Sequence, residues 1–336
     1  MWPFIDDILK HSSLSIIGLQ KNTGKTECLK YVLDRLPIDS RRIAVTSIGI
    51  DGETTDQVTL TQKPEIVLRQ GMFFATSEMH YRQRRLVSEL IDVSDVTTSL
   101  GRVVTAKALT TGKILLSGPS SAVSLRRWMD DMKRFDIDLI VIDGALSRMS
   151  SASPAVSESM ILATGAAYSA NIQTLVQKTA FVVELINLPL TSAENIAMLS
   201  PIERGSWWID CSGLLHDLNA STSLSQEIRF EGMDECQTLF VAGALVDSFL
   251  EKVRKNKCLC EAEIVVRDFT KLFVTPQQLH LFQKGGGRIR VLQKSKLIGV
   301  TVNPTSPSGY VLDSETLCQR LSAAIQLPVY DLFKIR

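Results

Sequence analysis

The chain has 336 residues, of which 45% are hydrophobic and 22% charged, and its net charge is +1. The length allows two globular domains, and the near-zero charge gives no general attraction for nucleic acid or a membrane surface, so neither is expected as a partner. No apolar run approaches the ~18 residues of a membrane span. The six scattered cysteines, with no secretory segment at the N-terminus, favour reduced thiols and a cytoplasmic location.

The first predicted elements are a strand and a helix on either side of a short polar loop. Residues 14–18 form an apolar run bounded by polar residues, which predicts a buried strand. The segment "TECLKYVLDRLP" has apolar residues at helical spacing and ends at Pro37, which predicts a helix. The stretch that joins them, "GLQKNTGKT", contains the Gly-Lys-Thr core of a Walker A phosphate-binding motif, although Leu19 stands where the strict pattern has glycine.

A loop between a strand and a helix suits phosphate binding, because N–H groups of the first helical turn point at the anion and the helix dipole favours negative charge. We predict that Lys25 reaches the β- and γ-phosphates of a nucleotide and that the Thr26 hydroxyl binds Mg²⁺. The predicted nucleotide contacts are Lys21, Asn22, Thr23, Gly24, Lys25, Thr26 and Glu27. The alternatives are a chance Gly-Lys-Thr in an ordinary strand–turn–helix and, for Lys21, a solvated loop lysine.

The second predicted strand, residues 41–49, leads into an acidic loop, "IGIDGETTD". In P-loop proteins the loop after this strand often faces the γ-phosphate, so Asp51 is a candidate for binding the metal or positioning the attacking water. Asp51 and Lys25 are the predicted catalytic residues. A surface turn built on Asp51 and Gly52 is the alternative.

Three more strands are predicted before residue 170, over 112–121, 136–145 and 159–167, with a helix after the first of them. The middle strand is a buried apolar run that reaches Asp143, which is the Walker B pattern for a carboxylate that holds Mg²⁺. A helix or turn cap is the alternative role for Asp143. Arg148 is either a solvated arginine or a group that stabilises charge on the γ-phosphate.

This alternation predicts an α/β protein with a P-loop NTPase-like, mostly parallel sheet flanked by helices, in which ligands bind at the carboxyl ends of the strands. After about residue 215 a polar stretch, 219–226, is followed by shorter β-type segments. We therefore predict a nucleotide-binding domain over residues 1–215 and a smaller C-terminal α/β domain over residues 216–336. No Asn-Lys-x-Asp guanine-reading motif follows the later strands, so ATP is favoured over GTP.

Several segments together resemble one protein family: "SIIGLQKNTGKTECLKYVL", "SIGIDGETTD", "LLSGPSS", "DLIVIDGALSRMSSASP", "ILATGAA", "VRDFTKLFV" and "SKLIGVTVNPTSPSGYVLDSE". The family is the small ATP-binding subunit of the reactivating factor, or reactivase, for adenosylcobalamin-dependent lysine 5,6-aminomutase. The resemblance covers nearly the whole chain, and Lys25, Thr26 and Asp143 match the nucleotide-binding positions that such a family needs. It implies an ATPase that acts as a chaperone, with a companion reactivase subunit, and helps an inactivated aminomutase exchange damaged cobalamin for intact coenzyme. A related ornithine enzyme is an equally acceptable client.

The alternative function is an enzyme that uses ATP on a small molecule, similar to dethiobiotin synthetase or another P-loop ligase or kinase. Such an enzyme needs convergent polar groups opposite the γ-phosphate. The segment 62–78, with Lys63, Thr76 and Ser77, is a candidate, and packing of this segment on the sheet as a lid or helix is the other interpretation. A third hypothesis is a binding module that holds nucleotide without turnover.

Overall fold

The computed structural model describes residues 2–48, 64–145, 156–220, 230, 233 and 236–335. The chain falls into two compact units: Met1–Ala180 together with Ser295–Arg336, and Phe181–Lys294. The second unit is therefore an insertion in the first. This division differs from the predicted domains 1–215 and 216–336, because the chain returns after residue 295 to add strands to the sheet that contains the N-terminal strand.

The helices are α1 (Ile5–Ile8), α2 (Lys25–Arg35), α3 (Glu78–Arg82), α4 (Ala122–Met132), α5 (Ile172–Ile186), α6 (Ala193–Leu199), α7 (Asp247–Lys255), α8 (Pro276–Lys284) and α9 (Ser314–Ile325). The strands are β1 (Ser13–Gly18), β2 (Ile43–Ser47), β3 (Ile66–Leu68), β4 (Phe73–Ser77), β5 (Ser88–Thr98), β6 (Gly101–Ala108), β7 (Gly112–Ile114), β8 (Leu139–Ala145), β9 (Ser159–Gly165), β10 (Ser206–Asp210), β11 (Leu215–Ala220), β12 (Cys236–Val241), β13 (Leu245–Val246), β14 (Glu263–Val266), β15 (Leu272–Phe273), β16 (Arg288–Val291), β17 (Lys296–Asn303) and β18 (Val329–Tyr330).

The first unit is built on a nine-stranded sheet in the order β18-β17-β9-β1-β8-β2-β4-β6-β5. All neighbours from β18 to β4 are parallel, and β6 and β5 add an antiparallel edge. The prediction of an α/β fold with a large, mostly parallel sheet flanked by helices is confirmed. The predicted strand 112–121 is mostly wrong, since only Gly112–Ile114 forms a strand, and this strand pairs with β3 in a separate two-stranded ladder.

Both faces of this sheet are covered, which explains why its central strands are apolar at nearly every position. Val141 points into a core that includes Leu29 and Val32 of α2. Its neighbours Ile140 and Ile142 point to the opposite face, whose core includes Trp128 of α4. The two-residue alternation of a strand thus places successive side chains of β8 in two different cores.

The second unit has its own five-stranded sheet in the order β11-β10-β12-β14-β16. Strands β12, β14 and β16 are parallel, and the β10–β11 hairpin joins β12 in antiparallel fashion. Leu199 of α6, Phe240 of β12 and Val265 of β14 belong to its buried core. This α/β unit is not the predicted C-terminal domain, because it ends at Lys294, before β17.

Candidate functional site

The predicted phosphate-binding loop lies at the carboxyl end of β1, a central strand between β9 and β8. Strand β1 ends at Gly18 and α2 begins at Lys25, so the strand–loop–helix order agrees with the prediction. At the start of the loop, the Leu19 N–H donates to the Ala163 carbonyl of β9 at 2.9 Å. The loop therefore leaves the sheet from a fixed point at the edge where parallel sheets bind ligands.

Two residues in the left-handed region turn the loop into the helix. Asn22 has φ 63° and Gly24 has φ 89°. Thr23 between them is buried, and its hydroxyl donates to the Gln20 carbonyl at 2.8 Å. Because Gly24 carries no side chain, it cannot cap the first-turn N–H groups of α2, which helix geometry leaves without carbonyl partners. Such a helix start is a ready site for an anion.

Lys25 and Asp143 meet across this site. The Lys25 Nζ lies 2.8 Å from Asp143 Oδ1, with exposed side-chain fractions of 26% and 20%. Asp143 is placed there by β8, where it lies opposite Ile16 of β1 and Ser47 of β2. The contact acts through charge, because Asp143 Oδ1 is buried and receives no aligned hydrogen bond from the described residues. The structure thus brings into direct contact two predicted site residues that lie more than a hundred positions apart in the sequence.

The other predicted site residues differ in exposure and in the partners of their side chains. Thr26 is partly exposed in the first turn of α2. The Glu27 carboxylate pairs with Lys30 along the helix, with Oε1 2.8 Å from Nζ, so only its backbone N–H faces the end of the helix. Lys21 is exposed on the loop. Asp51, the other predicted catalytic residue, and Arg148 lie outside the described residues.

Asn303 is a site residue that the sequence reasoning missed. Its Nδ2 donates to the Asn22 carbonyl at 2.9 Å, and its Oδ1 accepts from the Thr305 N–H at 3.1 Å. A Cβ added to Gly24 would lie 3.1 Å from the Asn303 Cβ, so the side chain packs directly on the turn. Asn303 ends β17, which pairs with β9, and this pairing delivers it to the loop. The available signal was an asparagine before Pro304 at the end of an apolar strand, but that strand was assigned to another domain.

A buried cluster of hydroxyls and a histidine follows the same edge of the sheet beyond Asp143. His80 Nδ1 lies 2.7 Å from Ser117 Oγ, which donates to Ser77 Oγ at 2.8 Å, and the Gly118 N–H donates to Ser47 Oγ at 3.1 Å. A Cβ at Gly118 would lie 1.8 Å from the Ser47 carbonyl oxygen, so only glycine fits. Segment 115–118 is therefore hydrogen-bonded to the ends of β2 and β4.

This cluster includes two residues of the predicted substrate segment. The Thr76 hydroxyl donates to the Leu115 carbonyl at 2.7 Å, and the Ser77 hydroxyl accepts from Ser117. Both residues are buried. Their bonds agree with packing of this segment on the sheet, and Lys63 lies outside the described residues.

One thiol lies beneath the loop. Cys28 of α2 is fully buried, and its N–H donates to the Gly24 carbonyl at 3.0 Å. Burial is the main cause that raises the pKa of this thiol to about 12; the Asp143 carboxylate acts in the same direction, and the nearby Thr301 hydroxyl opposes the shift. Cys28 is thus a neutral packing residue near neutral pH rather than a nucleophile.

Comparisons of the chain with protein-family models, curated proteins and solved structures found no match. Within the described part of the chain, no helix is both long and apolar enough to cross a membrane. The same residues contain no group of three or more His, Cys, Asp or Glu side chains arranged to hold a metal ion.

Proposed function

We propose that this chain is a P-loop protein that binds Mg–ATP between the β1–α2 loop and Asp143. The observation that supports the proposal is the 2.8 Å contact of Lys25 with Asp143 beside a left-handed Gly24 at the start of α2. Lysine, hydroxyl and carboxylate are the groups that P-loop proteins use on phosphate and Mg²⁺. Here Lys25 contacts Asp143 at the carboxyl edge of the sheet, and Thr26 follows Lys25 in the first turn of α2.

The donor set fits the ligand. In this proposal the first-turn N–H groups of α2 bind phosphate oxygens, Lys25 contacts the β- and γ-phosphates, and Thr26 and Asp143 hold the metal directly or through water. Bound Mg²⁺ supplies charge neutralisation on the β- and γ-phosphate oxygens. In this proposal, residues of the chain orient the triphosphate and exclude solvent from the base of the loop.

The Lys25–Asp143 contact suggests how binding is coupled to the protein. In the structure, the Lys25 ammonium and the Asp143 carboxylate form an ion pair. In the bound state that we propose, Lys25 would contact phosphate and Asp143 would hold the metal. Nucleotide would thus replace one internal ion pair by two charge-assisted contacts, which would link binding to the end of β8.

The wider role that we propose is the reactivating chaperone implied by the sequence resemblance. A partner that binds the open form of an inactivated aminomutase more tightly than the closed form shifts the mutase toward release of damaged cobalamin. ATP binding and hydrolysis, with the companion subunit, would then reset the chaperone. The ATP-dependent ligase or kinase remains the alternative, but the hydroxyls of Thr76 and Ser77, which it would need, are bonded within the fold.

Calorimetric titration with Mg–ATP tests the nucleotide site. We expect Lys25→Met to weaken binding by about 2–4 kcal/mol, because a charged partner of the phosphates is lost. Lys133→Met is the matched control, since it removes an exposed lysine of the first unit that pairs with Asp130 on the protein surface. Equal affinity of the wild type and Lys25→Met would overturn the loop assignment.

The ATPase rate, measured with and without cobalamin-inactivated aminomutase, tests the wider role. A rate raised by the inactivated mutase, and not by the active one, supports the chaperone. A rate that no protein changes but that a metabolite raises supports the ligase or kinase. Tight Mg–ATP binding with no turnover under any of these conditions supports the binding module.

A further inference from the structure

The second unit contains a cavity of about 720 Å³ that the proposed nucleotide site does not use. It lies at the amino ends of the parallel strands β12, β14 and β16 and beside the segment that leads into α6. Its volume is in the range of small-molecule sites in proteins, roughly 300–1,000 Å³. Four charged residues line it: Glu261, Glu263, Arg288 and Arg290.

Two of these charges are already paired. Arg290 Nε lies 3.4 Å from Glu263 Oε2, and the Thr191 hydroxyl donates to Glu263 Oε1 at 2.6 Å. Asn195 Nδ2 in turn donates to the Thr191 hydroxyl at 3.1 Å. Arg290 and Thr191 thus fix the two carboxylate oxygens of Glu263, and the Glu263–Arg290 pair forms an ordered polar part of the cavity lining.

The other two charges, Glu261 and Arg288, are exposed to the cavity, and neither forms an ion pair with a described residue. Their backbones are nonetheless fixed. Arg288 lies opposite Glu263 in the β14–β16 ladder. The Glu261 side chain lies over Gly286, where an added Cβ would be 3.2 Å from Glu261 Cγ, and Gly286 has φ +95°, so a larger residue is disfavoured there.

We propose that this cavity binds a free α-amino acid, with its carboxylate on Arg288 and its ammonium on Glu261. The lining carries two carboxylates and two guanidinium groups, so a purely anionic or purely cationic ligand would meet as much repulsion as attraction. A zwitterion matches both unpaired charges, and a guanidinium binds a carboxylate in a two-pronged arrangement. The exposed side chain of Leu190 on the cavity wall offers an apolar contact for the ligand's side chain. The proposal does not depend on nucleotide binding.

Thermal unfolding in the presence of each common L-amino acid, supplied singly at about 10 mM, identifies the ligand, because a ligand of the folded state raises Tm. Calorimetry then gives the Kd of the best amino acid. We expect its N-acetyl derivative, which lacks the ammonium, and its methyl ester, which lacks the carboxylate, each to bind at least about tenfold more weakly.

Two variants assign the contacts. Arg288→Gln and Glu261→Gln should each weaken binding of the amino acid by about tenfold or more. Glu261→Gln should also remove the preference for the amino acid over its N-acetyl derivative. Lys284→Gln and Glu203→Gln are matched controls, because both residues are exposed in the same unit and neither lines the cavity.

The proposal is overturned if no amino acid raises the Tm of the wild type, if the N-acetyl derivative binds as well as the parent, or if both cavity variants keep wild-type affinity. The variant Lys25→Met shows whether failure of the amino-acid proposal is independent of the nucleotide proposal. It should leave amino-acid binding unchanged, whatever it does to Mg–ATP.

Discussion

The Lys25–Asp143 pair should contribute measurably to the stability of the nucleotide-free protein. At 2.8 Å and an effective dielectric constant of about 20, two unit charges attract by roughly 6 kcal/mol before the cost of desolvation. Both side chains are about three-quarters buried, and Asp143 Oδ1 receives no aligned hydrogen bond from the described residues, so most of this attraction is offset. We expect a net coupling energy of about 1–2 kcal/mol.

A double-mutant cycle measures this coupling, with the variants Lys25→Met, Asp143→Asn and the combination of the two. Lys30 and Glu27 form the control pair, because their atoms are also 2.8 Å apart but their side chains are 39% and 44% exposed. For this control we expect about 0.3–0.5 kcal/mol, as for other surface pairs on a helix.

Urea unfolding followed by tryptophan fluorescence gives the free energies. The measurements use a Trp207→Phe, Trp208→Phe background, which leaves Trp2 and Trp128 as reporters in the first unit. A coupling energy no larger than that of the Lys30–Glu27 control would refute the reasoning, because the pair would then be a solvent-screened contact rather than part of a prepared site.

Three further changes test the surroundings of the loop. Asn303→Ala should weaken Mg–ATP binding about fivefold, because the Asn22 carbonyl loses a hydrogen bond worth about 1 kcal/mol. Calorimetry measures the Kd, and an unchanged Kd would show that Asn303 does not contribute to the site. Gly24→Ala should lower the free energy of unfolding by about 1–2 kcal/mol, since alanine is strained at φ 89°, and unaltered urea unfolding would contradict that geometry. Burial raises the pKa of the Cys28 thiol from 9.0 in the unfolded chain to about 12 in the folded protein. The stability that the buried neutral thiol contributes is therefore complete below about pH 9 and is lost as the pH rises toward 12, because the unfolded chain can ionise and the folded chain cannot. Urea unfolding at about pH 8 and about pH 10 should therefore show a smaller loss of stability in Cys28→Ala than in the wild type, and equal losses would exclude Cys28 as a cause.

The parts of the site that the sequence predicted are those that local signals determine. The apolar run 14–18 and the helical spacing that ends near Pro37 predicted β1 and α2 to within a residue or two. The apolar run before Asp143 predicted β8. Because parallel strands present their carboxyl ends at one edge, these local assignments were enough to bring Lys25 and Asp143 together.

The parts that were missed depend on contacts between distant segments. Strand β17 resembles any buried strand, and nothing local shows that it pairs with β9 after an insertion of more than a hundred residues. Asn303 was therefore assigned to the predicted C-terminal domain, whereas it lies in the unit that contains the loop. The same limit applies to segment 112–121, whose apolar start predicted a long strand. Residues 115–118 of that segment instead bond to the ends of β2 and β4.

The departure of this loop from the strict Walker A pattern has a structural reason. Gly18, one residue before the strict glycine position, lies close to the loop: a Cβ there would be 3.0 Å from Thr23 Oγ1 and 3.4 Å from Lys25 Cβ. Leu19, at the strict glycine position, is buried and bonds through its N–H to β9. The extra residue thus belongs to the end of the strand rather than to the turn. The turn before α2 is held both by the local bond from Thr23 to Gln20 and by Asn303, a side chain from a strand far along the sequence, so tertiary structure contributes to its geometry.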